Sequence, residues 1–239
     1  MAAPRDPRKS RSTPGALDPL DGLRSRWTVA FLFGELIGFL PPALVGASLS
    51  AAHAPDLLLV LGLTVAGAFE GASIGWTQSR VLRRYAPSIN SHAWIAATAI
   101  AAAFAWLVGM GGGALMGASQ GFSAILFGCL VPLWITALLG MGFTQWLVMR
   151  KEVRASFSWV WVSGAAWLVG VMIPVVALTL APNSWPPAVH IADGVAAAVA
   201  MGAVVGLITG QRLRRLLASP APGSRVGGAL QPDARRITS

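Results

Sequence analysis

Two acidic side chains inside apolar sequence are the strongest candidates for chemistry in this chain. Glu35 stands 8 residues beyond Trp27, or ~12 Å of helix, and Glu70 stands 10 residues before Arg80, or ~15 Å. We therefore expect the two carboxyl groups at a similar depth in a membrane. A charged carboxylate at that depth is costly, so it usually faces a cavity or the interior of a helix bundle.

Two interpretations of these acids remain open. Glu35 and Glu70 could share a proton or bind a small cation, with Ser73 and Thr77 as supporting polar groups on nearby turns. Alternatively, both acids are protonated and hydrogen-bonded to neighbouring helices, with a structural role only. No Lys or Arg lies within any predicted span, so neither interpretation includes an ion pair.

Three glutamines form a second set of candidates. Gln78, Gln145 and Gln211 lie within about a turn of the end of a predicted span, next to arginines. Each amide could cap free carbonyl groups or bond to the next part of the bundle, and both roles are structural. A polar ring at the inner mouth of a pore is the functional alternative.

Other chemistry finds little support in the residues. The single cysteine, Cys129, permits no intramolecular disulfide and no cysteine-based metal site. Residues 71–75 match Gly-x-Ser-x-Gly around Ser73, but no histidine lies centrally in a predicted span to act as its base. No metalloprotease spacing of His and Glu occurs either. We predict no enzymatic activity, no catalytic residue, no metal and no cofactor.

The elements that would position these residues are transmembrane helices. Of the 239 residues, 55% are hydrophobic and 11% are charged, against about 25% charged in soluble domains. Six apolar stretches are long enough to cross a bilayer as helices. They cover about 27–50, 57–79, 94–116, 124–149, 158–181 and 191–211.

The basic residues predict the orientation of these spans. All 18 Lys and Arg lie before Trp27, around 80–84, around 150–154 or from Arg212 onward. The three alternate connections contain none, so the positive-inside rule places them outside and both termini in the cytoplasm. The net charge of +9 therefore reflects topology and contact with anionic lipid headgroups, not nucleic-acid binding.

The sequence also predicts three repeated helical hairpins. An offset of 67 residues aligns 75–83 with 142–150 at five identical positions of nine, and it relates Trp27, Trp94 and Trp161. The repeats are about 27–84, 94–151 and 159–215. Each holds two spans, so they run parallel, related by an axis along the membrane normal.

A short motif at a predicted helix end resembles one found in a known group of proteins. Gly142, Gln145, Trp146 and Arg150 fit the pattern Gly-x-x-Gln-Trp-x-x-Leu-Arg. In this the chain resembles uncharacterised bacterial multi-pass membrane proteins whose helices repeatedly end in that motif. The resemblance covers the six-helix core and implies architecture, not an activity. Ser79 and Arg212 depart from the motif in the other two repeats.

Together these features predict an all-α membrane protein of the plasma membrane. A transmembrane domain at 27–215 lies between disordered basic cytoplasmic tails at 1–26 and 216–239. We expect transport or permeation of a small solute or ion, which could be proton-coupled, through Glu35 and Glu70. The alternative is a non-catalytic scaffold or accessory subunit that binds partner helices or lipid. A protein partner or a homo-oligomer fits either function.

Overall fold

The computed structural model describes residues 18–119, 123–182 and 184–219, and all regular secondary structure there is α-helical. The helices are α1 (Leu23–Gly38), α2 (Leu40–Ala51), α3 (Asp56–Tyr85), α4 (Ser91–Ala118), α5 (Ala124–Met149), α6 (Ser158–Leu180) and α7 (Pro187–Leu217). The α1–α2 pair and the five other helices give six stretches long and apolar enough to cross a membrane. The predicted all-α class and the six spans are confirmed, and they are those of an integral membrane protein.

The helices extend beyond the predicted spans at several ends. Helix α1 begins at Leu23, so residues 23–26 are helical and are not part of a disordered tail. Helix α7 likewise continues to Leu217. The rest of the predicted tails, 1–17 and 220–239, lies outside the described residues.

The first span is interrupted at Phe39. Pro41 and Pro42 follow in the first turn of α2, where a missing backbone N–H costs least. These prolines cannot donate to the carbonyl groups of the last turn of α1, so the hydrogen-bond ladder ends there. Pro132 and Pro174 lie inside α5 and α6, which continue past them.

The spans form a closed ring. Helix α1 packs against α3 and α7, α4 lies between α3 and α5, and α6 lies between α5 and α7. Helices α1, α4 and α6 begin at the end of the ring where α3, α5 and α7 finish. That end carries Arg80, Arg84, Arg150 and Arg214, and we call it the basic end.

Glycines near the basic end allow three close helix contacts. At each one, a Cβ added to the glycine would lie 2.9–3.1 Å from a Cα atom of the neighbouring helix. Since only glycine leaves that space open, the backbones approach closely, as is common in membrane bundles. The pairs are Gly75 with Ile95, Gly142 with Val160, and Gly206 with Thr28.

Glycines at every fourth position pack differently on α3 and α4. Gly67, Gly71 and Gly75 on α3 contact α4 closely. In contrast, Gly109 and Gly113 on α4 have no atom within 4 Å of an added Cβ. Both lie on the exposed face of α4, whereas the intervening Gly112 is buried against Trp134.

Candidate functional site

Three tryptophans meet at the basic end of the ring. Trp27, Trp94 and Trp159 begin α1, α4 and α6, and all three are fully buried. Their ring centroids lie 6.0–6.2 Å apart, with interplanar angles of 60–84°. These are favourable edge-to-face and tilted arrangements. We call this group the tryptophan cluster.

Each indole of the tryptophan cluster donates one hydrogen bond to the end of another helix. Trp94 Nε1 donates to Gln78 Oε1, and Trp159 Nε1 donates to Gln145 Oε1, both at 3.0 Å. Trp27 Nε1 donates to Thr209 Oγ1, also at 3.0 Å. The bonds therefore join α4 to α3, α6 to α5 and α1 to α7.

Gln145 connects further groups in this buried layer. Its Nε2 donates to Thr98 Oγ1 at 3.1 Å and approaches Gln78 Oε1 at 3.5 Å. Gln78 and Gln145 therefore bond across to other helices, which was one of the two structural roles expected for them. Gln211 is half-buried and makes none of these bonds, because Thr209 accepts from Trp27 in its place.

One expectation about tryptophan is corrected here. Trp161 is 58% exposed, and Trp159 occupies the place in the cluster that the fixed offset assigned to Trp161. Trp27, Trp94 and Trp159 are all buried, and each indole N–H has a protein partner.

Apolar side chains complete the closure of the basic end. Leu82, Met149 and Leu213, near the ends of α3, α5 and α7, are fully buried against the tryptophan cluster. Leu23 at the start of α1 is buried in the same group. These apolar side chains and the tryptophan cluster form one buried group at the basic end.

The two predicted acids come together above this layer. Glu35 lies 8 residues beyond Trp27 on α1, and Glu70 lies 8 residues before Gln78 on α3, each ~12 Å along its helix. Their side chains are 1% and 6% exposed. An added Cβ at Gly38, three residues beyond Glu35 on α1, would lie 3.2 Å from Glu70 Cγ, so the two acids lie on the facing sides of α1 and α3. We call them the acid pair.

Glycines and a tryptophan shape the space around the acid pair. An added Cβ at Gly38 would lie 2.8 Å from Glu70 Cα, and one at Gly202 would lie 3.6 Å from Glu35 Cγ. Trp106 Nε1 donates to Glu70 Oε2 at 2.6 Å. A Cβ at Gly67 would overlap the Trp106 indole, so Gly67 is what lets Trp106 reach Glu70. Trp106 was not among the candidates drawn from the sequence.

Glu35 differs from Glu70 in its hydrogen bonds. Neither carboxyl oxygen of Glu35 has a hydrogen-bond partner within the parts of the chain that the structure describes. Two ionised carboxylates can only accept, so their contact becomes a hydrogen bond when a proton is added to one of them. A proton or a bound cation would therefore satisfy Glu35, whereas a fully ionised pair would not be satisfied.

Ser73 and Thr77 do not contact the acids through hydrogen bonds. Ser73 Oγ donates to the Phe69 carbonyl, and Thr77 Oγ1 donates to the carbonyl groups of Ser73 and Ile74, all within α3. Such bonds to the preceding turn satisfy the hydroxyl groups locally. No direct hydrogen bond to the acids therefore supports the role predicted for Ser73 and Thr77.

Metal binding by a larger acidic or histidine cluster has no candidate here. Across 18–119, 123–182 and 184–219, no group of three or more His, Cys, Asp or Glu side chains is placed to hold a metal ion. Comparison with known protein families, with curated proteins and with solved structures gave no match to this chain. The acid pair is therefore interpreted from its own geometry.

Proposed function

We propose that this protein moves protons or small cations across the plasma membrane, with the acid pair as the binding or coupling group. The observation that carries this proposal is the burial of Glu35 and Glu70 on facing helices, with both oxygens of Glu35 unsatisfied among the described residues. A buried unsatisfied polar group costs ~1–3 kcal/mol, so a fully ionised Glu35 is unfavourable at this position without a ligand. Binding of a proton or cation removes that cost.

The position of the acid pair supports the same function. The tryptophan cluster closes one side of it, ~12 Å away along α1. Toward the other end, packing becomes sparse: Gly112 is the last buried residue of α4, and Gly113 has open space around it. A binding group between a closed end and a loosely packed end fits alternating access, in which each end opens in turn.

A scaffold or accessory subunit is the second candidate. It is favoured by the dry surroundings of the acid pair, which include Phe31, Ile74 and Met201 in one buried group nearby. In this function the two acids would share a proton permanently and hold α1 against α3. The bundle would then bind a partner helix or lipid and would carry no flux.

Reconstitution distinguishes the two. The full chain in liposomes that contain a pH-sensitive dye, under an imposed proton or Na⁺ gradient, is expected to give flux above that of empty liposomes. Glu35→Gln and Glu70→Gln are expected to bring flux down to the empty-liposome level. Asp56→Asn changes an exposed acid at the far end of α3 and is expected to keep it. Equal flux above background in all three variants would reject the acid pair as the binding group. No flux in the unmodified chain would reject transport and leave the scaffold.

We also propose the repeated architecture predicted from sequence. The cyclic order of helix contacts supports it, as do the glycine contacts at Gly75, Gly142 and Gly206, which receive α4, α6 and α1 in turn. Gln78, Gln145 and Thr209 each stand three residues after one of these glycines and each accept from an indole. Three parallel hairpins would place equivalent residues in this way.

The same proposal includes the orientation of the chain in the membrane and its contacts with lipid. The positive-inside rule assigns the basic end and both termini to the cytoplasm, where the basic segments contact anionic lipid. No nucleic-acid partner and no enzymatic activity are included. We place the chain with bacterial multi-pass membrane proteins whose helices end in Gly-x-x-Gln-Trp-x-x-Leu-Arg, on the match at Gly142, Gln145, Trp146 and Arg150.

A further inference from the structure

A groove with two chemically different halves lies between α1 and α3 at the basic end. Its volume is about 660 Å³. Arg26, Arg80 and Arg84 line one part of it, together with Tyr85. Val29, Phe33 and Trp76 line the rest, and all three are substantially exposed.

The basic half lies nearer the helix ends than the apolar half. On α1, Phe33 lies 7 residues further into the bilayer than Arg26, or ~10 Å. On α3, Trp76 lies 4 residues further in than Arg80 and 8 further than Arg84, or ~6 Å and ~12 Å, and the Arg80 side chain lies over the Trp76 ring where the two halves meet. The helices are antiparallel, so both place their arginines toward the basic end and their apolar side chains deeper. The groove therefore runs from the headgroup region into the hydrocarbon region.

The three arginines have no acidic partner within the described parts of the chain. The ion pair found there joins Arg214 to Asp18, outside this groove. The Arg80 guanidinium stacks 4.2 Å from the centre of the Trp76 ring, and Arg84 lies 5.6 Å from that of Tyr85. Aromatic stacking orients both guanidinium groups and leaves their N–H donors free.

We propose that this groove is a binding site for an anionic phospholipid. The phosphate lies among Arg26, Arg80 and Arg84, and the first part of an acyl chain lies along Val29, Phe33 and Trp76. Charge complementarity and the adjacent basic and apolar halves, ~6–12 Å apart along the helices, select a molecule with a phosphate and an attached hydrocarbon chain. The proposal rests on the chain crossing the bilayer with the basic end at the headgroups, and it does not require ion transport.

Native mass spectrometry of the full chain in detergent tests the site with two probes, phosphatidylglycerol and phosphatidylcholine. We expect tighter binding of phosphatidylglycerol. Substituting Arg26, Arg80 and Arg84 together by Gln is expected to weaken that binding on the order of 100-fold, at about fivefold per arginine. The matched control substitutes Arg83, Lys151 and Arg154 by Gln, which removes the same charge from the same end and is expected to keep the preference.

Two further measurements test whether the molecule bound in the groove is a lipid. Val29→Trp fills the apolar half without changing charge and is expected to weaken phosphatidylglycerol binding. Glycerol phosphate, which has no acyl chain, is expected to compete poorly. Equal losses in the two triple variants would mean a general charge effect and overturn the proposal. Full competition by glycerol phosphate, or no effect of Val29→Trp, would overturn the acyl part and leave a phosphate site only.

Discussion

Two glycines of similar sequence context are expected to respond in opposite ways to the same substitution. At Gly71 on α3, an added Cβ would lie 2.5 Å from Ala102 Cβ and 2.6 Å from the Thr98 carbonyl oxygen, whereas ordinary contact begins at 3.4 Å. Helices α3 and α4 would have to separate by about 0.9 Å to restore ordinary contact with Ala102. At Gly113 on α4, no atom lies within 4 Å.

The expected free energies follow from these distances. Overpacking of this kind costs ~1–3 kcal/mol, partly offset by the ~0.4–1 kcal/mol that Gly→Ala contributes through the unfolded chain. We expect Gly71→Ala to lower the free energy of unfolding by about 1–2 kcal/mol. Gly113→Ala keeps only the favourable part and is expected to be neutral or to stabilise by up to ~1 kcal/mol.

Reversible unfolding in mixed micelles, followed by circular dichroism during titration with a denaturing detergent, measures both variants. The Gly113→Ala variant is the matched control, because it makes the same chemical change in a neighbouring span. Equal effects of the two substitutions would refute the close α3–α4 packing. A stabilising Gly71→Ala would refute it more strongly.

Two further predictions concern the basic end. Gln145→Met leaves the Trp159 indole N–H without its partner and is expected to lower the free energy of unfolding by about 1–3 kcal/mol in the same assay. Asp18 accepts a hydrogen bond from the backbone N–H of Leu20 and pairs with Arg214, and both lower the pKa of its carboxyl below 3.8. Because this pKa is lower in the folded than in the unfolded protein, the ionised carboxylate stabilises the fold at pH values above the unfolded-state pKa. That stabilisation is lost as the pH falls through the folded-state pKa. Asp18→Asn is therefore expected to lower the melting temperature slightly at pH 7 and not at pH values below the folded-state pKa.

Controls for these two substitutions are available in the chain. Thr136→Val removes an exposed hydroxyl of α5 that bonds only to its own helix, and it is expected to leave stability nearly unchanged. A Gln145→Met variant as stable as Thr136→Val would contradict the buried hydrogen-bond layer. An Asp18→Asn effect that is the same at both pH values would contradict the role of the ionised carboxylate.

Much of the fold follows from hydrophobicity and charge placement. Six apolar stretches without Lys or Arg predict six spans, and the structure has them. The break at Phe39 could have been predicted from Pro41 and Pro42, whose rings cannot continue a helix ladder. The extra turns at Leu23 and Leu217 could not, because polar helix ends outside the bilayer lack a hydrophobicity signal.

The partners of the buried layer were harder to predict because the spacing varies. Trp94 and Trp159 are 65 residues apart, not 67, and Gln145 and Thr209 are 64 apart. The offset of 67 therefore selected Trp161, and Gln211 was selected at 66 residues after Gln145. Small differences in connection length decide which residue faces the core, and those lengths carry no hydrophobicity signal.

The shared depth and the burial of the acid pair could be predicted from the sequence, but the hydrogen bond from Trp106 could not. Equal depth placed Glu35 and Glu70 at one level, and both lie in the interior as expected for acids within a span. The Trp106 bond depends on the register between α3 and α4, in which Gly75, Gly71 and Gly67 face successive turns of α4. That register becomes predictable once the contact of Trp94 with Gln78 is known.

Water access to the acid pair is the most direct measurement of the proposed function, because it does not require knowing which ion moves. Infrared spectroscopy of the reconstituted chain, with the Glu35 band assigned by its loss in Glu35→Gln, follows the protonated carboxyl stretch after transfer to D₂O. Transport predicts that the band shifts promptly by deuterium exchange, since the pair must communicate with water when an end opens. A band that stays unshifted while the flexible ends of the helices exchange would contradict the account and make the acid pair a structural contact.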